Sequence, residues 1–161
     1  MLLLLLACAD PTPTASDLPP TPEEDVCTAH QQLQELSEPV FTGDPDACDP
    51  GTATDLENAL AHINQLRTLA GLPPYTLDPA LSEAAQEAAA LMHANGRLSH
   101  DPDPDWHCYT ETAAAAADRS LLSTAPAVEG VRQYLVDWDN ASTLVHRRWL
   151  LSDWIESVGI G

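Results

Sequence analysis

Apolar residues recur at helical spacing over much of this chain and read as a strand only near its end. Thr21-Pro22 can cap and open a first helix, with Glu24 at the capping-box position. Val26, Leu33 and Leu36 form its sparse stripe, and Pro39 ends it. The stretch from Phe41 to Gly51, with Gly43, Pro45 and Pro50, reads as loop. Thr54-Asp55-Leu56-Glu57 is a second capping box. Leu56, Ala59, Leu60, Ile63, Leu66 and Ala70 then follow one helix face, and Gly71 supplies the stop. Leu72-Pro73-Pro74-Tyr75 is extended.

Asp78-Pro79 starts a third helix as cap and first residue. Leu81, Ala84, Ala85, Ala88, Leu91 and Met92 are expected on its inner face, and Gly96 terminates it. His62 and His93 fall toward the polar sides of these two helices and are expected to be exposed and idle. Asp101 to Trp106 is turn-rich. Thr112 to Leu122 predicts a short alanine-rich helix. Pro126 to Trp138 predicts another, with Val128, Val131, Leu135 and Trp138 on one side. Asn140 is placed to cap a following turn or helix that carries Leu144 and Val145 toward His146. Ile155 to Ile160 carries the β-branched residues of a strand, and Tyr75-Thr76-Leu77 is the candidate short partner for it. The pattern shows no internal repeat. The expected organisation is residues 1–8 as a signal, 9–22 as a Pro/Thr-rich tether, 23–52 as a helix and loop, and 53–161 as the main domain.

Charge narrows the partners. Among 161 residues, 25 are acidic and 6 are lysine or arginine, for a formal charge of −19. Such a surface repels phosphate backbones and anionic headgroups, which excludes general nucleic-acid binding. The 44% hydrophobic content suffices for a core, but much of it is alanine.

The N-terminus points to export. Leu2 to Leu6 form a short apolar run, and Leu5-Leu6-Ala7-Cys8 resembles a bacterial lipobox, in which the cysteine is lipidated. A usual signal has a basic start and ~7–15 apolar residues; this one has no basic residue and a shorter run. A membrane-spanning helix needs ~20 residues, so membrane contact is expected through a lipid on Cys8 alone. Cys27, Cys48 and Cys108 remain. They allow three single pairings, each leaving one thiol. Cys27 and Cys48 are nearest in sequence, and bridging them would close a loop of about 20 residues, for roughly 3 kcal/mol. Without a CxxC pair there is no signature of a cysteine zinc site.

Two histidines stand in distinctive contexts, Leu98-Ser99-His100 and His146-Arg147-Arg148-Trp149. Together with Asn64-Gln65-Leu66-Arg67, Ala70-Gly71-Leu72-Pro73-Pro74-Tyr75, Leu77-Asp78-Pro79-Ala80-Leu81 and Val158-Gly159-Ile160-Gly161, they resemble the CAP superfamily, or SCP domain. Order and spacing carry the resemblance, over about Leu56 to Gly161. It implies an α+β fold, a CAP-type α-β-α sandwich. Family members continue past V-G-x-G with strands of the middle layer, so this chain is expected to be mostly helical with an incomplete central sheet.

The resemblance also implies a cleft with two histidines and two acids, which in several members holds a divalent metal such as zinc. By position the histidines are His100 and His146, the metal ligands that the resemblance implies. Asp137 or Asp139 occupies the region of the second acid. The first acid belongs to a G-E-N motif, which this chain lacks; the aligned stretch is Asp118 to Leu122, and Glu111 is the nearest glutamate. Arg147 and Arg148 could pair with the carboxylates nearby, and one of them is expected in a structural ion pair, with a substrate role as the alternative. Trp106, Trp138, Trp149 and Trp154 are expected to pack in the core or at its edge, and some of them could line a cleft for an apolar or sugar ligand.

Three functional readings follow. The first is an exported protein of the cell envelope or exterior, a bacterial lipoprotein without catalysis, that binds a small lipid, glycan or protein through a His100/His146 cleft. No serine or cysteine shows a recognisable base and orienting acid. The second is a divalent-metal-dependent hydrolase, with an ion on His100, His146 and an aspartate lowering the pKa of water to ~7 and Glu111 as base. The third is a degenerate surface or interaction protein.

Overall fold

The computed structural model describes residues 40–54 and 56–161, together with Thr28 and Gln31, both helical. The expected signal, the tether and most of the first helix therefore lie outside the described residues. Contacts divide the chain into Met1–Glu35 and Leu36–Gly161, and every element below belongs to the second unit.

The unit opens with a small hairpin. Strand β1 (Val40–Phe41) pairs antiparallel with β2 (Ala53–Thr54), Val40 opposite Thr54. The segment expected to be pure loop thus begins in a strand and also contains a 3-10 turn at Pro45–Ala47. Five helices follow: α1 (Leu56–Leu69), α2 (Pro79–Asn95), α3 (Glu111–Arg119), α4 (Ala127–Val136) and α5 (Val145–Leu150). Between them lie β3 (Thr76–Leu77), a 3-10 turn at Trp138–Asn140 and, last, β4 (Ser157–Val158). The α+β reading, mostly helical with a minimal sheet, holds. β3 and β4 form a parallel pair, Thr76 beside Ser157 and Leu77 beside Val158, so the partner expected for the terminal strand is the one observed.

Helix ends follow local chemistry. The Asp78 carboxylate accepts from the Ala80 and Leu81 amides at 2.9 and 3.0 Å, Pro79 takes the position where a missing N–H costs nothing, and Gly96 closes α2 in the left-handed region at φ 63. Thr110 caps α3 by accepting from the Ala113 amide.

The helices pair in two sets, each with its own apolar cluster. α2 lies on α3, where Ala88, Met92, Ala116 and Ala117 meet; the small side chains permit close backbone approach. α1 packs on α4, and α4 on α5, around Ile63, Tyr75, Val131 and Leu150.

Two residues of the N-x-x-R segment fasten the extended chain to α1. Asn64 acts as a strand partner for Tyr75: its amide donates to the Tyr75 carbonyl at 2.9 Å and accepts from the Tyr75 amide at 2.7 Å. Arg67 is fully buried. Its guanidinium donates to the carbonyls of Pro73, Leu150 and Ser152 at 2.8, 3.1 and 2.8 Å, and lies 3.5 Å from the Tyr75 ring centroid. One side chain thereby joins the end of α1, the approach to β3 and the end of α5. Burial raises the Tyr75 pKa, against the lowering influence of Arg67 and Ser152.

Several expectations about faces need correction. Leu81 is exposed, while Ser82 and Gln86 are buried on α2. The terminal segment takes that face: a Cβ on Gly159 would stand 2.3 Å from the Leu81 carbonyl carbon, and the Ile160 amide donates to Ser82 Oγ. His62 is buried rather than exposed. Trp138 does not continue the apolar side of α4. The backbone turns left-handed at Asp137, φ 55, and leaves the indole 81% exposed. Asn140 does not cap α5 with its side chain; Leu144 occupies that position without a side-chain cap.

Candidate functional site

His146 is the most firmly oriented of the expected site residues. Asp137 ends α4 in the left-handed region and is buried, and it faces the first turn of α5. Its carboxylate accepts from the His146 amide at 3.0 Å, the Arg147 amide at 3.3 Å and His146 Nδ1 at 2.8 Å. A carboxylate only accepts, so Nδ1 carries a proton, and in the neutral ring Nε2 is the nitrogen with a lone pair. Asn140 adds a hydrogen bond to the same carboxylate, and its Nδ2 lies 3.2 Å from Nδ1. Desolvation works against ionising Asp137. The hydrogen bonds from His146, Arg147 and Asn140, with the attraction of His146, outweigh it and hold the carboxyl below its usual range.

The loop between α4 and α5 is built to make this contact. Asp137 and Leu144 both adopt positive φ, 55 and 50, a conformation that costs a non-glycine residue roughly 1–2 kcal/mol. The donors converging on Asp137 offset that strain. The Tyr134 ring lies tilted beside the imidazole, centroids 5.4 Å apart, and burial pushes the Tyr134 phenol far above its ordinary pKa. Arg147 spends its guanidinium on the Leu135 and Val136 carbonyls, the last turn of α4. Its structural role is therefore helix capping and not the expected ion pair. Among the described residues, ion pairs other than the His146–Asp137 contact comprise Arg132 with Glu129.

His100 is held by a different element. Its Nδ1 donates to the Ala117 carbonyl at 2.9 Å, in the last turns of α3. Glu111 opens the same helix and is exposed. Six residues separate it from Ala117, ~9 Å of helical rise, so His100 and Glu111 attend opposite ends of α3. Asp139 is exposed in the Trp138–Asn140 turn. His100, Glu111, Asp137, Asp139 and His146 form no group of three or more whose ligand atoms lie within 4.8 Å of one another. Each histidine has the second-sphere acceptor typical of a metal ligand, yet no third donor joins them. The described residues therefore assemble no set of three donors around the His100/His146 pair.

The cysteines correct the pairing expected between Cys27 and Cys48. Cys48 is bonded to Cys108, with Cα atoms 5.2 Å apart and 60 residues between them in sequence. Cys27, like Cys8, lies outside the described residues. Proximity in sequence was the wrong guide, because the Pro45–Ala47 turn packs on α2 and thereby meets the segment that follows α2. A pocket of ≈ 250 Å³ opens beside the bond, lined by Cys48, Pro50, Glu87, Ala90, Leu91, Cys108, Thr110 and Ala113. It contains none of the residues expected to bind.

The tryptophans divide. Trp106 is half-buried with the Arg97 guanidinium 4.3 Å from its ring. Trp149 and Trp154 meet edge to face at 5.3 Å and remain 47% and 67% exposed. With Trp138, they make apolar surface at the edge of the fold and not in its core.

No described helix is long and apolar enough to cross a membrane. No curated protein and no solved structure matches the chain. The model of the CAP family, the cysteine-rich secretory protein family, matches residues 60–161. That interval holds Arg67 and Asn64, the terminal β3–β4 pair and both site histidines, and on this match the chain belongs to the CAP family.

Proposed function

We propose that this is an exported, lipid-anchored CAP-domain protein of the cell envelope, which binds a ligand or partner at its His146 face and does no chemistry on it. The observation that carries the reading is the 2.8 Å bond from His146 Nδ1 to buried Asp137. It presents Nε2 of the neutral ring as a fixed acceptor with the Tyr134 ring beside the imidazole, and exposed Trp138 follows Asp137 in sequence. A ligand with a hydroxyl or N–H donor and an apolar or ring face, whether lipid, glycan or protein, fits that combination.

The same pairing orients a general base, so hydrolysis needs separate consideration. Acyl transfer requires a nucleophile in hydrogen-bond reach of that base. The described hydrogen bonds of His146, from its amide and from Nδ1, run to Asp137 and not to a hydroxyl or thiol. With no third metal donor either, binding is the better-supported role. The anchor rests on Leu5-Leu6-Ala7-Cys8.

The test is intrinsic tryptophan fluorescence of the full chain, titrated with glycan oligosaccharides and with a short-chain phospholipid. Mass spectrometry of lipids extracted from the purified protein accompanies it. Saturable quenching that His146→Ala abolishes, without turnover of the ligand, supports binding. No response to any probe, together with a lipid-free extract, overturns it. Membrane release on Cys8→Ser tests the anchor.

A further inference from the structure

The described side chains contain one group of three or more metal-competent donors with ligand atoms within 4.8 Å of one another, and it includes neither site histidine: Cys48, His107 and Cys108. Two of the three are joined as a disulfide. His107 Nε2 stands 3.7 Å from Cys48 Sγ. On a tetrahedral zinc with Zn–S of 2.3 Å and Zn–N of 2.0–2.1 Å, the sulfur–nitrogen edge is ~3.6 Å. The imidazole is thus already at ligand distance from one sulfur. We propose that reduction of the Cys48–Cys108 bond converts this corner into a Cys2His site for a borderline-soft divalent cation of the zinc type, with water in the fourth position.

The frame around the site does not depend on the sulfur–sulfur bond. On one side, the Asp44 carboxylate caps the Pro45–Ala47 turn through the Asp46 and Ala47 amides. The Cys48 amide donates to the Pro45 carbonyl, and the Asp49 amide to the Asp44 carbonyl at 3.0 Å. On the other side, Asn95 at the end of α2 grips the backbone of His107 from both directions, donating to its carbonyl at 2.9 Å and accepting from its amide at 3.2 Å. Both cysteines sit at positive φ, 56 and 65, in turns those bonds define. The donors therefore stay near one another once the bond opens. The two sulfurs need to stand only ~3.8 Å apart on a tetrahedral ion.

Access and charge favour the same conclusion. Cys48 and His107 are exposed, Cys108 is half-buried, and the pocket of ≈ 250 Å³ opens on both sulfurs. Asp46 and Asp49 flank Cys48 in sequence, in a chain of formal charge −19, which draws cations. Cys108 Sγ lies 3.3 Å from the Pro45 carbonyl. A disulfide sulfur has no proton to donate there, whereas a reduced thiol does, so the reduced state gains a hydrogen bond until metal displaces the proton.

The reductant is a dithiol. Its thiolate attacks one sulfur of the bond to give a mixed disulfide, and its second thiol releases the protein. Two electrons and two protons pass to Cys48 and Cys108, and the dithiol becomes a disulfide. The cation then displaces both thiol protons to solvent, so M²⁺ with two thiolates and a neutral imidazole carries no net charge. His107 Nε2, which now donates toward the Asp46 carbonyl at 3.3 Å, must give up its proton and hold it on Nδ1 instead.

The experiment uses the full chain carrying Cys8→Ser and Cys27→Ser, so that only this pair can supply thiolates. The protein is reduced with a phosphine under argon, titrated with Co²⁺ and then challenged with Zn²⁺. One equivalent of Co²⁺ should raise thiolate-to-cobalt charge-transfer absorption in the near ultraviolet and tetrahedral bands in the visible, and zinc should bleach both. The oxidised protein should show neither. In the reduced His107→Ala variant, affinity should fall at least ~100-fold, because loss of an outer-sphere partner alone costs ~10–100-fold. Absence of the charge-transfer band in the reduced protein overturns the proposal, whether or not its circular dichroism remains folded. An unchanged titration in His107→Ala also overturns it.

Discussion

Replacing Arg67 by alanine should destabilise the domain by about 3–5 kcal/mol, the usual cost of removing one partner from a buried charged network. Three carbonyls, those of Pro73, Leu150 and Ser152, lose a charged donor, and Tyr75 loses the cation over its ring. At ~1.5–3 kcal/mol for each bond to a charged group and ~2 for a desolvated cation–π contact, the gross loss is about 6–11 kcal/mol. Relief of guanidinium desolvation, several kcal/mol per ion, offsets part of this. The assay is urea and thermal unfolding followed by circular dichroism, and the midpoint should fall by about 10 °C or more. Arg67→Lys should be intermediate, since an ammonium cannot span three carbonyls and stack at once. Arg67→Met separates charge from volume. If Arg67→Met is as stable as the parent, or if Arg67→Ala costs under about 1 kcal/mol, the guanidinium is not what joins α1 to the end of α5.

Removing the disulfide with Cys48→Ala and Cys108→Ala should cost about 4 kcal/mol in urea unfolding for a loop of this length, while Cys27→Ala alone leaves the Cys48–Cys108 peptide intact in non-reducing mass maps. The pKa of Asp137 is lowered in the folded state, so its contribution is present above the ordinary carboxyl value and disappears as pH falls through the folded value. Hydrogen exchange should accordingly show the α4–α5 turn opening in strong acid, and Asp137→Asn should lose that part of the pH dependence; an unchanged acid limb refutes the assignment. Gly159→Ala forces a Cβ into the Leu81–Ser82 backbone, which should cost about 1–3 kcal/mol and expose the Ser157 to Ile160 amides to exchange. A neutral Gly159→Ala would mean that the terminal segment does not rest on α2.

Local chemistry made the helices legible. Asp78-Pro79 and Gly96 bound α2 as expected, since a cap bonds amides two and three residues away and a left-handed stop needs only its own glycine. The pairing of Thr76–Leu77 with Ser157–Val158 was also readable, from β-branched composition and the extended chain before Asp78. Outer and inner faces were less so. Leu81 and Trp138 look like core residues on a helical wheel, yet the terminal glycines cover the Ser82 side of α2 and the turn at Asp137 swings Trp138 outward. Burial depends on which element arrives, and periodicity carries no record of that.

The site divides in the same way. Motif order identified the family and marked His100 and His146, because those residues sit in short recognisable contexts. Whether donors converge is a question of distance between elements far apart in sequence. Tertiary structure separated His100 from Glu111 along α3, gave Asp137 to His146 as a hydrogen-bond partner, and closed Cys48 onto Cys108 across 60 residues. Sequence alone settled what depends on neighbours within a turn or two: the Asp78 cap, the Gly96 stop, the β3–β4 strands and the family. The disulfide, the buried Arg67 and the separate backbone and carboxylate partners of the two histidines were decided by packing, which brings distant backbone within ångströms and leaves no local trace.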